Sequence, residues 1–506
     1  MKRSCRLPLP AFFVPVVVCV VVSALLLPGL VAAAGIVDHP DKLSFVDLNY
    51  EPPQPADHRH VLASGATAYV AENREVPTLE VTVLVRTGSL YEPVEKAGLA
   101  EITGYLMRNG GVTGLTAGEL DERLAYLAGE ISVGIGESQG QARLFCLAKD
   151  MDEGLDLLMR VLRTPVFDAQ ALERYRTDLL SEMEQRNSST AAIENREWQF
   201  LMYGDHPCTN RYRSTEQSVR SITREDLVAF HDTYFFPRNF IFAVSGDFET
   251  AEILAKLNRM LAGWPDRALD LPPVADQIAD PQPGVYMIKK DDVNQSRVRV
   301  GHVGVKRDIP DEYALMVMND ILGGGGFTSR IVRRVRSDEG LAYNTGSAFD
   351  RPVLYPGTFR SWFQTKHATA AFGTRLIVDE IRRICAETCD EEAVANAKAG
   401  FVSGIVNSFG SQRSTVETFA DDQYTRRADG YWQNYRRNIE AVTPDDVLAA
   451  ARKYLHPDRL VFLVVGDPDA VLAGSDKHDE RFADFGPVTI LPLRDPMTLE
   501  APPVAR

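Results

Sequence analysis

The chain has 506 residues, 45% of them hydrophobic and 25% charged, with 36 Gly and 29 Pro, which excludes collagen-like, disordered and low-complexity classes. Its 55 basic and 70 acidic residues give a net charge of −15, the opposite of the clustered basic footprint of a nucleic-acid binder. At ~100–200 residues per domain the length allows about three domains.

The first 34 residues stand apart. Lys2, Arg3 and Arg6 precede an apolar run from Ala11 to Leu27, followed by Pro28 and Val31-Ala32-Ala33-Ala34. That order is the plan of a secretory signal cleaved after Ala34; the alternative is an uncleaved anchor, because the apolar stretch is long for a signal. Cys19 follows Val18 rather than a small residue, so no lipid attachment is expected there. The chain is therefore expected to be exported, to the periplasm or envelope of a cell with two membranes. Beyond the signal stand Cys146, Cys208, Cys385 and Cys389, too few for a disulfide scaffold. Cys385 and Cys389 are either a local disulfide or two buried thiols. With no second Cys or His pair nearby they do not make a zinc knuckle.

Past the signal, the alternation in LEVTVLVRTGS (79–89) predicts a strand, and Leu120, Leu124 and Leu127 mark one face of a helix. The segment 221–249 then predicts a Thr-capped amphipathic helix, a Pro break and an apolar strand ending in Gly-Asp. Residues 441–469 repeat it without a gap. Thr223 and Thr443, Asp226 and Asp446, Tyr234 and Tyr454, Pro237 and Pro457, and Gly246-Asp247 and Gly466-Asp467 all match. Such register argues for two copies of one domain. SRVRVGHVGV (296–305) reads as a strand of the second copy, and DLPPVADQIADPQPG (270–284) lacks periodicity. The expected organisation is a signal over 1–34, a domain over 35–268, a linker over 269–284, a homologous domain over 285–490 and a tail over 491–506. The expected fold class is α+β, each copy a mainly antiparallel sheet with helices on one face.

Three further stretches give the pattern a family. RTGSLYEPVEKAGLAEITGYLMRNGG (86–111), YGDHPCTNRYRSTEQSVRSITREDL (203–227) and LGGGGFTSRIVRRVRSDEGLAY (322–343), with the duplicated Gly-Asp strands, resemble the pitrilysin/insulinase family of inverted-motif zinc peptidases. The resemblance covers nearly the whole mature chain and implies two homologous domains arranged as a clam shell. Active members carry His-x-x-Glu-His after Gly-Leu-Ala on a helix, two His ligating zinc and the Glu activating the bound water. Here Gly98-Leu99-Ala100 is followed by Glu101 at the first His position, Gly104 at the Glu position and Tyr105 at the second His position. The distal carboxylate position, 77 residues beyond Tyr105, holds Glu182. Two carboxylates without an imidazole or thiolate are a poor zinc set, so no metal and no catalytic residue are expected in this chain alone.

The other histidines do not rebuild a metal site. Only His58 and His60 are closely spaced, and they precede the domain's first predicted strand without a carboxylate partner at a suitable spacing. No P-loop or nucleophile elbow occurs, and the tetraglycine Gly323–Gly326 lacks a following Lys-Ser or Lys-Thr pair.

The resemblance also implies what is retained. In the family an Arg and a Tyr seven residues apart bind substrate and stabilise the tetrahedral intermediate, and Arg336 and Tyr343 hold those positions. The bland alternative pairs Arg336 with Asp338 and packs Tyr343 in the core. Some bacterial members split the site between two chains, and this chain resembles the one without zinc. It would supply Arg336 and Tyr343 in trans to a homologous subunit that carries the zinc, around a peptide in extended conformation. That peptide would add to a sheet edge at about residues 131–137, although the family's Asn-Ala signature is absent there. The alternative function is a peptide-binding or scaffolding protein with no hydrolytic partner.

Overall fold

A computed structural model describes residues 50–501 together with His39, Lys42 and Leu43. The expected export segment lies outside the described residues, and no helix among them is long and apolar enough to cross a membrane.

The first half runs β1 (Arg59–Val61), β2 (Thr67–Glu72), β3 (Thr78–Arg86), α1 (Leu99–Asn109), α2 (Ala117–Tyr126), β4 (Glu130–Ile135), β5 (Gln139–Leu147), α3 (Met151–Arg163), α4 (Ala169–Glu184), α5 (Thr190–Tyr203), α6 (Arg224–Tyr234), β6 (Phe240–Gly246) and α7 (Thr250–Leu261). No helix or strand forms between Leu261 and Gly284. The second half runs β7 (Gly284–Lys289), β8 (Gln295–Val303), α8 (Glu312–Asn319), β9 (Thr345–Phe349), β10 (Thr358–Lys366), α9 (Ala370–Ala386), α10 (Glu391–Ser408), α11 (Gln412–Tyr424), α12 (Tyr431–Glu440), α13 (Pro444–Tyr454), β11 (Val461–Gly466) and β12 (Val488–Leu491).

Among the described residues these strands form two six-stranded sheets, β1-β2-β6-β3-β5-β4 and β12-β7-β11-β8-β10-β9. The duplication is visible in the wiring. β2 lies parallel to β6 as β7 does to β11, while β3 and β8 each pair antiparallel with both neighbours. Only the outermost strand differs: β1 folds back antiparallel on β2, whereas β12 returns parallel to β7. The matched threonines are helix caps in both halves. Thr223 accepts from Asp226 N while Asp226 accepts from Thr223 N, and Thr443 and Asp446 repeat this capping box, a device worth ~0.5–2 kcal/mol at the cap residue. Gly246 ends β6 with φ +152°, and an added Cβ would sit 2.2 Å from Thr78 O, so the Gly of the Gly-Asp match is needed for strand contact.

The expected single helical layer is corrected by the structure: both faces of each sheet are covered, because the halves exchange a helix. Val70, Val81, Val83, Phe242 and Val244 face the first core with α1, α3 and α6. The alternate residues Tyr69, Ala71, Leu84, Ile241 and Ala243 belong instead to the second half's core, beneath Val416, Phe419 and Ala420 of α11. Conversely, Ile193, Trp198 and Met202 of α5 pack on Ile288, Val461, Leu463 and Val465 of the second sheet. This explains why β6 and β11 are apolar at nearly every position and buried throughout.

Polar ties follow the exchanged helices. Glu194 on α5, almost wholly buried, accepts from Arg297 Nε at 2.8 Å and Arg299 Nε at 3.2 Å. On α11, Glu417 accepts from Thr82 at 2.8 Å and Gln423 from Tyr69 at 2.9 Å. The expected tail is also engaged: Arg494 pairs with Glu197 at 3.0 Å, and Glu216 N donates to Met497 O at 2.8 Å. Cys146, Cys208, Cys385 and Cys389 are free thiols. Cys389 Sγ accepts from Arg330 at 3.3 Å and Cys385 lies against Ala451 O.

Candidate functional site

The degenerate motif lies on α1, as its resemblance implies. Gly98, at φ +104°, turns the chain into the helix, and the Glu92 carboxylate accepts from Gly98 N at 3.1 Å and Ala100 N at 2.8 Å. Those bonds satisfy donors that a helix start leaves open. Burial nevertheless pushes the Glu92 carboxyl up to about 7, with the Glu101 charge adding to the effect and the backbone bonds opposing it. Ile102, Thr103, Leu106 and Met107 are buried in the core, which leaves Glu101 and Tyr105 one turn apart on the outer face.

Across from them α4 presents Tyr175 and, two turns later, Glu182. The Tyr105 and Tyr175 rings stack with centroids 3.7 Å apart and planes 9° from parallel, and Tyr175 Oη donates to Glu101 Oε1 at 3.2 Å. Burial, then the charges of Glu101 and Glu182, hold the Tyr175 phenol well above its ordinary range, so it stays a neutral donor. One turn beyond Glu182, Arg186 donates to Ser214 O at 3.0 Å. Burial and the Arg196 charge pull its guanidinium down to about 10, against the pull of Glu101.

Glu101 and Tyr105 are thus brought together on Tyr175, and Glu182 lies near enough for its charge to act on the same phenol. Sequence reasoning missed Tyr175. The available signal was its place seven residues before Glu182, a spacing that puts both on one face of a helix. The fourth position, Gly104, faces the edge strand, where an added Cβ would lie 2.9 Å from Ile135 N and 3.0 Å from Ile135 Cγ1. β4 has closed over the place where a larger side chain would stand.

This donor set does not fit zinc. It offers two carboxylates and two phenols, one of them held protonated, with no imidazole or thiolate. Among the described residues no three His, Cys, Asp or Glu side chains come together as a metal-binding group. The histidines serve the fold: His58 bonds Val70 O at 3.1 Å, His231 bonds Leu162 O at 2.8 Å, and His367 bonds Ser296 Oγ at 2.8 Å and Val293 O at 2.9 Å.

The second group stands differently. After α8 the glycine-rich stretch and a wide helical turn over Arg333–Asp338 carry Arg336. Its guanidinium carbon lies 4.3 Å from the Phe327 ring centroid and 4.4 Å from that of Tyr343, between the two rings. Tyr343 is 84% exposed and Phe327 64%. Among the described residues no carboxylate pairs with Arg336, so neither the Asp338 pairing nor the core packing of Tyr343 forms. Phe327 is a member the sequence reading did not single out, although an aromatic directly after four glycines was visible. Among the described residues no hydrogen bond, ion pair or ring contact joins this group to the α1–α4 cluster. Among the described residues β4 is the edge strand of the first sheet and pairs with β5 alone.

Two duplicated, helix-exchanging halves with a dismantled metal helix define a zinc-peptidase scaffold without its zinc ligands. The comparisons agree. Residues 68–210 match the insulinase model of peptidase family M16 and residues 221–401 the M16 inactive-domain model, and the chain belongs to this family. It is 24% identical over 335 residues to a probable mitochondrial-processing peptidase subunit beta of Arabidopsis thaliana, a match covering 61% of this chain and 62% of that one. It is 23% identical over 344 residues to the non-peptidase homolog YmxG of Helicobacter pylori, covering 67% and 78%. The fold is shared with the crystal structure of a peptidase M16 inactive domain from Pseudomonas fluorescens, at a TM-score of 0.74 and 24% identity over 81% of this chain and 98% of that one.

Proposed function

We propose that this chain is the zinc-less subunit of a two-subunit M16 metallopeptidase, exported to the cell envelope. In this reading it supplies Arg336 and Tyr343 to peptide bound at a partner's zinc site. The observation that carries the proposal is the Phe327–Arg336–Tyr343 group: a guanidinium held by two rings, without a carboxylate partner among the described residues, beside an exposed phenol.

Arg and Tyr are strong donors, worth most where negative charge develops on a carbonyl oxygen. Fixing the guanidinium between rings reduces the reorganisation needed to meet that charge. A homologous partner would bring the zinc and the base that activates water, which the α1 face of this chain lacks. The peptide would bind extended along a sheet edge, its backbone supplying most of the hydrogen bonds.

The test is steady-state peptidase turnover of the co-purified complex with Arg336→Ala and Tyr343→Phe. Loss of one donor to an oxyanion lowers kcat by about 10²–10³. Unaltered turnover in both variants would reject the shared site and leave the scaffolding reading.

A further inference from the structure

Between the halves lies a second cavity, of about 530 Å³, unrelated to the degenerate zinc helix or to Arg336. Its walls come from the end of β3, the β4–β5 turn, the β9–β10 connection and the end of α11. The volume is that of a small-molecule site. Apolar surface from Tyr91, Leu354 and Tyr424 makes up much of the lining.

Two arginines give the cavity its chemistry. Arg86, from β3, is half-buried; its guanidinium donates to Gln423 O at 3.3 Å and lies 5.5 Å from the Tyr424 ring centroid. Arg426, from the second half, follows α11 at φ +55°. That is the position where a helix ending of this kind usually places Gly or Asn, and a side-chain-bearing residue pays ~1–2 kcal/mol to occupy it. Neither arginine has a carboxylate within ion-pair distance among the described residues. Burial, reinforced by the Arg426 charge, pulls the Arg86 guanidinium below its ordinary value.

The carboxylates that share the cavity are engaged or disfavoured. Asp276 pairs with Lys306 at 2.7 Å, Glu137 accepts from the Tyr355 hydroxyl, and burial pushes Asp421 up. The half-buried Arg86 guanidinium and the exposed Arg426 guanidinium line one cavity with no carboxylate partner among the described residues, and an anion between them would supply the missing charge. Guanidinium also matches a carboxylate in geometry as well as charge.

We infer that this cavity binds a small organic carboxylate, its anionic end between Arg86 and Arg426 and its apolar body against Tyr91, Leu354 and Tyr424. The carboxylate is either that of a free acid or the C-terminus of a peptide. Because the two arginines come from different halves, the ligand would tie the halves together, and the site does not depend on the proposed peptidase role.

Isothermal titration of the full chain with 3-phenylpropionate and with N-acetylphenylalanine, each beside its neutral amide, tests this. At least one acid should bind at least ten-fold more tightly than its amide. Arg426→Gln, a change at an exposed position, should weaken that acid at least ten-fold while leaving the melting temperature in place, and Arg86→Gln should do the same. Preference for N-acetylphenylalanine would identify a peptide terminus, and preference for 3-phenylpropionate a free acid. If neither acid binds better than its amide, or Arg426→Gln binds the acid as the unaltered chain does, the inference is overturned.

Discussion

Tyr105 and Tyr343, which the proposed function assigns to two halves of one site, stand in opposite surroundings. Tyr105 is stacked on Tyr175, beside a Glu101 that already accepts that ring's hydroxyl, and β4 presses on the neighbouring Gly104. Tyr343 stands 84% exposed against a guanidinium that has no counter-ion among the described residues. In the proposed reading, one half of the site has been filled and its polar groups given partners, while the other keeps strong donors without a carboxylate partner among the described residues. Drift alone would be expected to blunt both halves, so the contrast argues that the second is still used and the first is not.

The comparison breaks most directly at Arg336. Arg336→Ala is expected to cut turnover of the complex by about 10²–10³ while lowering the chain's own stability by no more than ~1–2 kcal/mol, the worth of its two ring contacts. Urea melts beside the kinetics separate the two. A drop in stability equal to the drop in activity would make Arg336 a structural residue like Tyr105.

The converse change is to rebuild the filled half. Glu101→His, Gly104→Glu and Tyr105→His together restore the family's motif in sequence, yet Gly104 has no room for a Cβ. The triple variant should lose ~1–3 kcal/mol from overpacking and should not hold stoichiometric zinc after dialysis. Tight zinc binding with unchanged stability would show that β4 yields easily and that the site is merely unfurnished.

Smaller effects sharpen the contrast. Phe327→Ala removes one ring from the Arg336 sandwich, an interaction worth ~0.5–1 kcal/mol at an exposed site. Turnover should fall roughly two- to five-fold, with Phe327→Tyr restoring it. The last prediction concerns Glu92. Its folded carboxyl is raised to about 7 from 4.5, chiefly by burial. Between those values the folded chain binds more protons than the unfolded one, so this group's contribution to stability declines as pH rises from about 4.5 to about 7 and then levels. Glu92→Gln should remove that slope from a pH series of denaturant melts.

Much of this was legible in the chain. The two Thr-capped helices, the Gly-Asp strand ends and the family motifs are short-range patterns, and short-range physics places them: a capping box needs only residues three apart. Arg336 and Tyr343 were legible for the same reason, since one turn and a short loop bring them together. Tyr175 was not, because its meaning depends on α4 packing across from α1, 74 residues away in the chain from Glu101. The exchange of α5 and α11 was hidden more deeply. Nothing local to Trp198 says that the surface it buries is Leu463 and Val465 of the other half. Arg86 and Arg426 likewise meet only through the fold.

The most direct measurement is to purify the tagged chain under native conditions from the envelope fraction of its own host, and to determine subunit mass and zinc together. The account predicts a stoichiometric second subunit of similar size carrying His-x-x-Glu-His, with about one zinc per pair. A zinc-free chain, alone or with unrelated envelope proteins, would contradict it and make the Arg336–Tyr343 group a relic.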